Sequence, residues 1–146
     1  MKISYRGDYA LKAVLDLALH YDSGVMTIHE LASRSDIPIK FLEQILLDLK
    51  LGGFVQSRRG KVGGYLLLKP PSQIKVGDVV RFVEGPTNPI ACVAKDYSGC
   101  SYTHTCVFRG IWQEVDKAIS GVIDAVTFED LVNQTKDQQR ELAYSI

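Results

Sequence analysis

Between Asp8 and Tyr21, apolar residues fall at Leu11, Val14, Leu15, Ala18 and Leu19. That i, i+3, i+4, i+7, i+8 recurrence is the stripe of a helix buried on one face. Gly24 ends the pattern. Thr27 and Glu30 then stand three residues apart, a capping box in which a hydroxyl and a carboxylate each satisfy an orphan amide, and a short second helix to about Arg34 is predicted. Pro38 sits where a first-turn proline belongs, and Ile37, Phe41, Leu42, Ile45, Leu46 and Leu49 form a further helical stripe that Gly52 and Gly53 terminate. Two helices joined by so short a turn read as a helix-turn-helix. Lys40, Glu43 and Gln44 lie off the apolar stripe of the second, where side chains would face a major groove.

Period-two patterning follows. Residues 54–57 and 65–68 are short β-prone runs, joined by a glycine-loosened tip that carries Arg58, Arg59 and Lys61. After a helix-turn-helix such a hairpin reads as a wing, because mobile cations on its tip suit a phosphate backbone or a minor groove whatever the base sequence. The spacing of Gly60 and Gly63 also fits the GXXG loop of an RNA-binding module, but that loop joins two helices and these flanks are strand-like. No Gly-Lys-Ser/Thr opens a helix, which excludes a phosphate-cradling P-loop.

Charge supports a basic reading head. The chain has 17 Lys+Arg against 17 Asp+Glu, yet residues 1–75 hold eleven cations against seven anions and residues 76–146 six against ten. The first half therefore suits an anionic partner and the second does not. With 146 residues and 46% hydrophobic content the chain is globular and too short for a multidomain enzyme. Charges interrupt every apolar run well short of about 18 residues, and they appear early in the N-terminal sequence. The expectation is a cytoplasmic protein without a membrane span or secretory leader.

Val76, Val79, Val80 and Val83 predict one more helix, stopped at Gly85 and Pro86. About twenty residues without a helical stripe come next, long enough to require a function. Cys92, Cys100 and Cys106 lie there or at its edge, with seven and five residues between them. An odd number of thiols so spaced is a poor disulfide framework, and it lacks the tight C-x2-4-C knuckles of structural zinc. Three separated thiolates suit a larger iron-sulfur centre, [2Fe-2S] or [4Fe-4S]. A Cys3His zinc site using His104, or a metal-free thiol switch, are the alternatives. His20, His29 and His104 are the whole histidine complement, and no nucleophile and base stand together, which speaks against an enzyme.

From Cys106 the apolar residues Val107, Phe108, Ile111, Trp112, Val115, Ala118, Ile119 and Val122 continue one helical face for about seventeen residues. A helix that outgrows its domain commonly buries its stripe against a symmetry mate, so a homodimer matching a pseudo-palindromic double-stranded DNA operator is expected. A last short helix begins at Thr127, and residues 136–146 are expected to be peripheral. The fold class is thus mainly α with a small β-hairpin wing. Residues 1–84 form a winged helix-turn-helix DNA-binding domain, 85–106 a cysteine-containing loop, and 107–146 a dimerisation helix with a C-terminal helix.

The start MKISYRGDYALKAVLDLA, the run Phe41 to Gln44, the wing from Arg59 to Tyr65, the segment Gly77 to Val80 with Glu84 to Pro86, the three cysteines and the closing Thr127 to Leu131 resemble the bacterial regulator family that contains IscR, NsrR, RirA and CymR. The resemblance spans nearly the whole chain. It implies a dimeric transcription regulator in which Cys92, Cys100 and Cys106 ligate an iron-sulfur cluster whose state alters DNA binding. Lys40 and Glu43 would stand at base edges, and the wing cations at the backbone. Seven residues between the first two cysteines is similar to RirA, and Arg109 occupies the position of a histidine ligand in IscR. The resemblance to NsrR puts Asp8 forward as fourth ligand, reaching across the dimer, with His104 and solvent as competitors.

Overall fold

The computed structural model describes residues 1–145. Its elements run α1 (Tyr5–Leu19), α2 (Ile28–Ser35), α3 (Ile39–Leu51), β1 (Val55–Arg58), β2 (Gly64–Leu67), α4 (Val76–Glu84), α5 (Arg109–Ile123) and α6 (Phe128–Tyr144), with single 3-10 turns at Tyr21–Ser23, Pro71–Gln73 and Ala91–Val93. The mainly helical fold with one small hairpin is the one expected from the sequence pattern.

The first helix begins at Tyr5, three residues before the expected start at Asp8, because Ser4 caps it: the Ser4 hydroxyl accepts from the Gly7 amide at 3.1 Å. α1 is the central element, packed by α2, α3, α4, α6 and β2. Its buried apolar side chains are Ala10, Ala13, Val14, Leu17 and Ala18, whereas Leu11, Leu15 and Leu19 of the expected stripe pack at the edge of the core. Small alanines let several neighbours approach one helix closely, a feature that a one-sided stripe does not show. Buried Asp16 receives the Arg34 guanidinium at 3.0–3.2 Å and so ties α1 to α2.

The capping box of α2 forms as expected: the Thr27 amide donates to Glu30 at 2.8 Å and the Glu30 amide to the Thr27 hydroxyl at 3.2 Å. A three-residue turn through left-handed Asp36 (φ 54°) leads into α3, with Ile37 buried beneath it. Pro38 caps α3 rather than opening it, its carbonyl accepting from Phe41 and Leu42 at 3.0 Å. Leu42, Ile45, Leu46 and Leu49 are buried, but Phe41 is 56% exposed and leans on Tyr9 with ring centroids 6.3 Å apart. β1 and β2 pair antiparallel from Val55–Leu67 to Arg58–Gly64, and Met26 adds a bridge to Tyr65 on the other edge of β2. A side chain at Gly64 would lie 2.3 Å from the Met26 carbonyl, so only glycine admits that close approach.

The last helix differs from expectation. It runs 17 residues rather than ending early, because Gln, Glu, Arg, Leu and Ala carry it on after the apolar stripe has stopped. Its start docks beside the start of α4 through backbone bonds from Val76 to Val126 (3.0 Å) and from Phe128 to Ile74 (2.9 Å). Phe128 and Val132 join the core cluster with α1, while residues 136–145 are exposed.

α5 is the exception to this packing, with no buried residue of its own. Ile111, Trp112, Val115 and Val122 are 52, 37, 37 and 67% exposed. Polar ties hold the helix to the remainder. The Arg81 guanidinium on α4 donates to Asp124 at 2.6 and 2.9 Å and to the Ser120 hydroxyl at 3.3 Å, and the Asn88 amide donates to Asp116 at 3.0 Å. In the same last turn of α4, Glu84 accepts from the Ser4 amide at 2.8 Å and the Ser4 hydroxyl at 2.6 Å. Hydrogen bonds from Ser4 hold the Glu84 carboxyl below its ordinary range, and the Arg81 guanidinium does the same for Asp124.

A carboxylate whose folded value is depressed adds stability that is present above its unfolded value, about 4, and lost as pH falls through the folded one. The thermal midpoint should therefore drop as pH is lowered from about 5 to 3, and Glu84→Gln and Asp124→Asn should each lower it at pH 7 and flatten the acid decline. Unfolding followed by circular dichroism across that range checks this; wild-type slopes in both variants would show that the ties contribute no stability.

Candidate nucleic-acid interface and cysteine segment

Lys40, Glu43 and Gln44 are all exposed on the N-terminal half of α3, as their place off the apolar stripe requires. The first turn of that helix carries no acidic residue, so the partial positive charge of its amides is left for an anionic partner. Arg58 closes β1, and Arg59, Gly60, Lys61 and Val62 stand exposed at the tip, with Gly60 at φ 121°. The Lys50 ammonium donates to the Ser57 hydroxyl at 2.8 Å and so links the C-terminal turn of α3 to the wing. One rigid unit thus presents both the exposed face of α3 and three wing cations.

Two residues that the sequence reading passed over belong to this surface. Asp48, one turn beyond Gln44, accepts from the Gln44 amide at 3.1 Å through one oxygen and from the Arg6 guanidinium through the other. Its i+4 spacing from Gln44 was a usable signal. Arg6 offered none, since it reaches α3 from a different helix 42 residues away in sequence.

The thiols of Cys92, Cys100 and Cys106 are all free, the first two half-buried and the third exposed. Residues 85–106 are tied at both ends. The segment leaves α4 at Glu84, and the Arg109 guanidinium in the first turn of α5 donates to the Cys92 carbonyl at 3.3 Å. Around Cys106 the amide bonds back to the Tyr102 carbonyl at 2.8 Å. The donor types fit an iron-sulfur centre: three unpaired thiols, with the exposed His104 imidazole in the same segment. They are not gathered, however; among the described residues no three Cys, His, Asp or Glu side chains converge to hold a metal.

Asp8 lies on α1, half-buried, and its carboxylate pairs with the Lys12 ammonium one turn on at 2.6 Å. That bond raises the Lys12 pKa. Asp8 shares a surface hollow with Lys2, Ser4 and Glu84, the residue from which the cysteine segment departs. The candidate fourth ligand therefore borders the root of the segment and does not join the three thiols of its own chain in one set.

No described helix is long and apolar enough to cross a membrane. Residues 3–134 match the Rrf2 family, described as an iron-dependent transcriptional regulator. An rrf2-like HTH-type transcriptional regulator of Rhodobacter capsulatus is 41% identical over 137 residues, covering 89% of this chain and 91% of the relative. Among solved structures, CymR, the global cysteine regulator of B. subtilis, superposes with a TM-score of 0.77 at 32% identity, covering 92% of this chain and 98% of that one. IscR of T. potens gives 0.76 at 33% identity, covering 95% and 91%. The winged-helix architecture, the exposed α3 face and the matches along almost the full length agree: the chain belongs to the Rrf2 family, whose members are DNA-binding transcription regulators and not enzymes.

Proposed function

We propose that two copies of this chain bind a pseudo-palindromic duplex, and that Cys92, Cys100 and Cys106 hold an iron-sulfur cluster whose presence sets the affinity. The observation that carries this reading is the placement of three free thiols on a segment anchored to the first turn of α5, the one helix whose apolar face is left open. Resemblance to IscR and the iron-dependent description of the family support it.

In the proposed complex Lys40, Glu43 and Gln44 enter the major groove, where Glu43 accepts from a cytosine amino group, and Arg58, Arg59 and Lys61 neutralise phosphates along the flank. α5 packs on its counterpart, which brings the Asp8 region of one protomer toward the cysteine segment of the other. Asp8 is the fourth ligand in this reading, and it gives up Lys12 to take that role. A bound cluster would supply a cross-link sensitive to redox state and small reactants. Residues 85–106 do the mechanical work. Ordered, they press on α5 through Arg109 and pull at Glu84, which grips the start of α1; released, they leave both. A modest rotation of two α3 helices whose spacing is dictated by the duplex is enough to change affinity.

Arg59→Ala should weaken DNA binding at every sequence and reduce the slope of log affinity against log salt by about one, read by fluorescence anisotropy on a duplex selected by the wild-type protein. Unchanged affinity and slope would remove the wing from the interface. Protein isolated without oxygen should be brown, with iron and acid-labile sulfide in comparable amounts, and replacing any one of the three cysteines by serine should bleach it or reduce its iron strongly. Stoichiometric zinc in place of iron would favour a zinc-stabilised regulator, and a colourless metal-free protein would favour a thiol switch; either result contradicts the cluster.

A further inference from the structure

Phe41, Gln44 and Asp48 follow one another at i, i+3 and i+7 and so share one face of α3, the face toward the N-terminal end of α1. α1 grips that face at two heights. Tyr9 packs on Phe41 one turn before Gln44, and Arg6 pairs with Asp48 one turn after it. The gripping end of α1 is itself pinned, since Glu84 takes both the amide and the hydroxyl of Ser4. Gln44 therefore projects from the middle of a braced stretch, and its amide nitrogen donates to Asp48 at 3.1 Å.

The chemistry of that bond is directional. A carboxylate only accepts, so Asp48 must face the NH2 end of the Gln44 amide and never its oxygen. One N–H is then occupied, and among the described residues no hydrogen bond takes up the other N–H or the carbonyl. That remaining pair is the donor and acceptor set that matches N7 and N6 of adenine in a major groove. Arg6 completes the arrangement by occupying the second Asp48 oxygen and cancelling its charge, which would otherwise repel phosphates close to α3.

We propose that Asp48, held by Arg6, is a specificity-positioning residue that locks the amide orientation of Gln44 and so selects adenine at one base position in each half-site. This rests on the assignment of α3 to the major groove. Without the lock the amide can turn over, and a turned Gln no longer offers the adenine pattern.

The test is affinity selection from a duplex library randomised over the footprint, followed by anisotropy on duplexes changed at single base pairs. Wild type, Arg6→Ala, Arg6→Lys, Asp48→Asn, Gln44→Ala and the Arg6→Ala/Gln44→Ala double variant are compared. Gln44→Ala should lose preference for an A·T pair at one position by roughly 5- to 100-fold, the range of one bidentate base contact. Arg6→Ala and Asp48→Asn should lose preference at that same position, Arg6→Lys should keep it, and the double variant should lose no more than Gln44→Ala alone. A purely electrostatic role gives a different pattern: Arg6→Ala weakens and Asp48→Asn strengthens binding at all sequences, with preference intact. That pattern overturns the inference while leaving α3 in the groove. Unchanged preference in Gln44→Ala removes Gln44 from base reading and overturns both.

Discussion

The open apolar face of α5 is the constraint around which this chain is arranged. Every other helix contributes buried side chains of its own, whereas Ile111, Trp112, Val115 and Val122 remain in contact with water. Covering the parts of these side chains that are still exposed would gain about 25 cal/mol per Å² of apolar area, which favours association of two copies. Hydrogen bonds and ion pairs through Arg81, Asn88 and Arg109 tie α5 to the chain, and much of its apolar stripe stays exposed. In the proposed dimer, a paired α5 would turn one winged helix into two heads at a set separation, as a two-fold operator demands.

The polar ties also explain how distant parts of the chain can act on one another. Arg81 in the last turn of α4 joins that helix to the end of α5, Glu84 three residues on joins the same turn to the start of α1, and Arg6 and Tyr9 join the start of α1 to α3. Residues 85–106 sit between the second of these ties and the first turn of α5. In the proposed mechanism a change in the order of that segment would act on these two contacts rather than on a diffuse surface. The depressed carboxyls of Glu84 and Asp124 are signs of the same engagement, since each is stabilised as an anion by its partner.

Much of this was legible in the sequence because local rules and the fold agree. The Thr27–Glu30 box, the short turn before α3, the glycine-rich hairpin tip and the stop at Gly85 all mark positions where backbone chemistry leaves little choice. The apolar run after Cys106 likewise announced a helix with an unsatisfied face. What escaped the reading arises between elements. A helix packed on several sides hides its buried set among alanines, as α1 does at Ala10, Ala13 and Ala18. Phe41 fits the apolar period of α3, yet it lies exposed at the rim of the core, where it packs on Tyr9. The length of α6 was missed because helix-forming polar residues extend it without a stripe, and the Arg6–Asp48 pair because it joins residues from separate helices. For the site, residue types pointed to thiolate chemistry, while the structure of one chain leaves the thiols apart.

The most direct measurement is the mass of the protein in solution by sedimentation equilibrium at micromolar concentration. The account predicts about twice the 16.2 kDa of a single chain, reverting to a folded single chain in Ile111→Glu, with the helical circular dichroism retained. A wild-type protein that sediments as a stable 16.2 kDa species would contradict it, because the open face of α5 would then have no partner and the two-headed reading of DNA would have no basis.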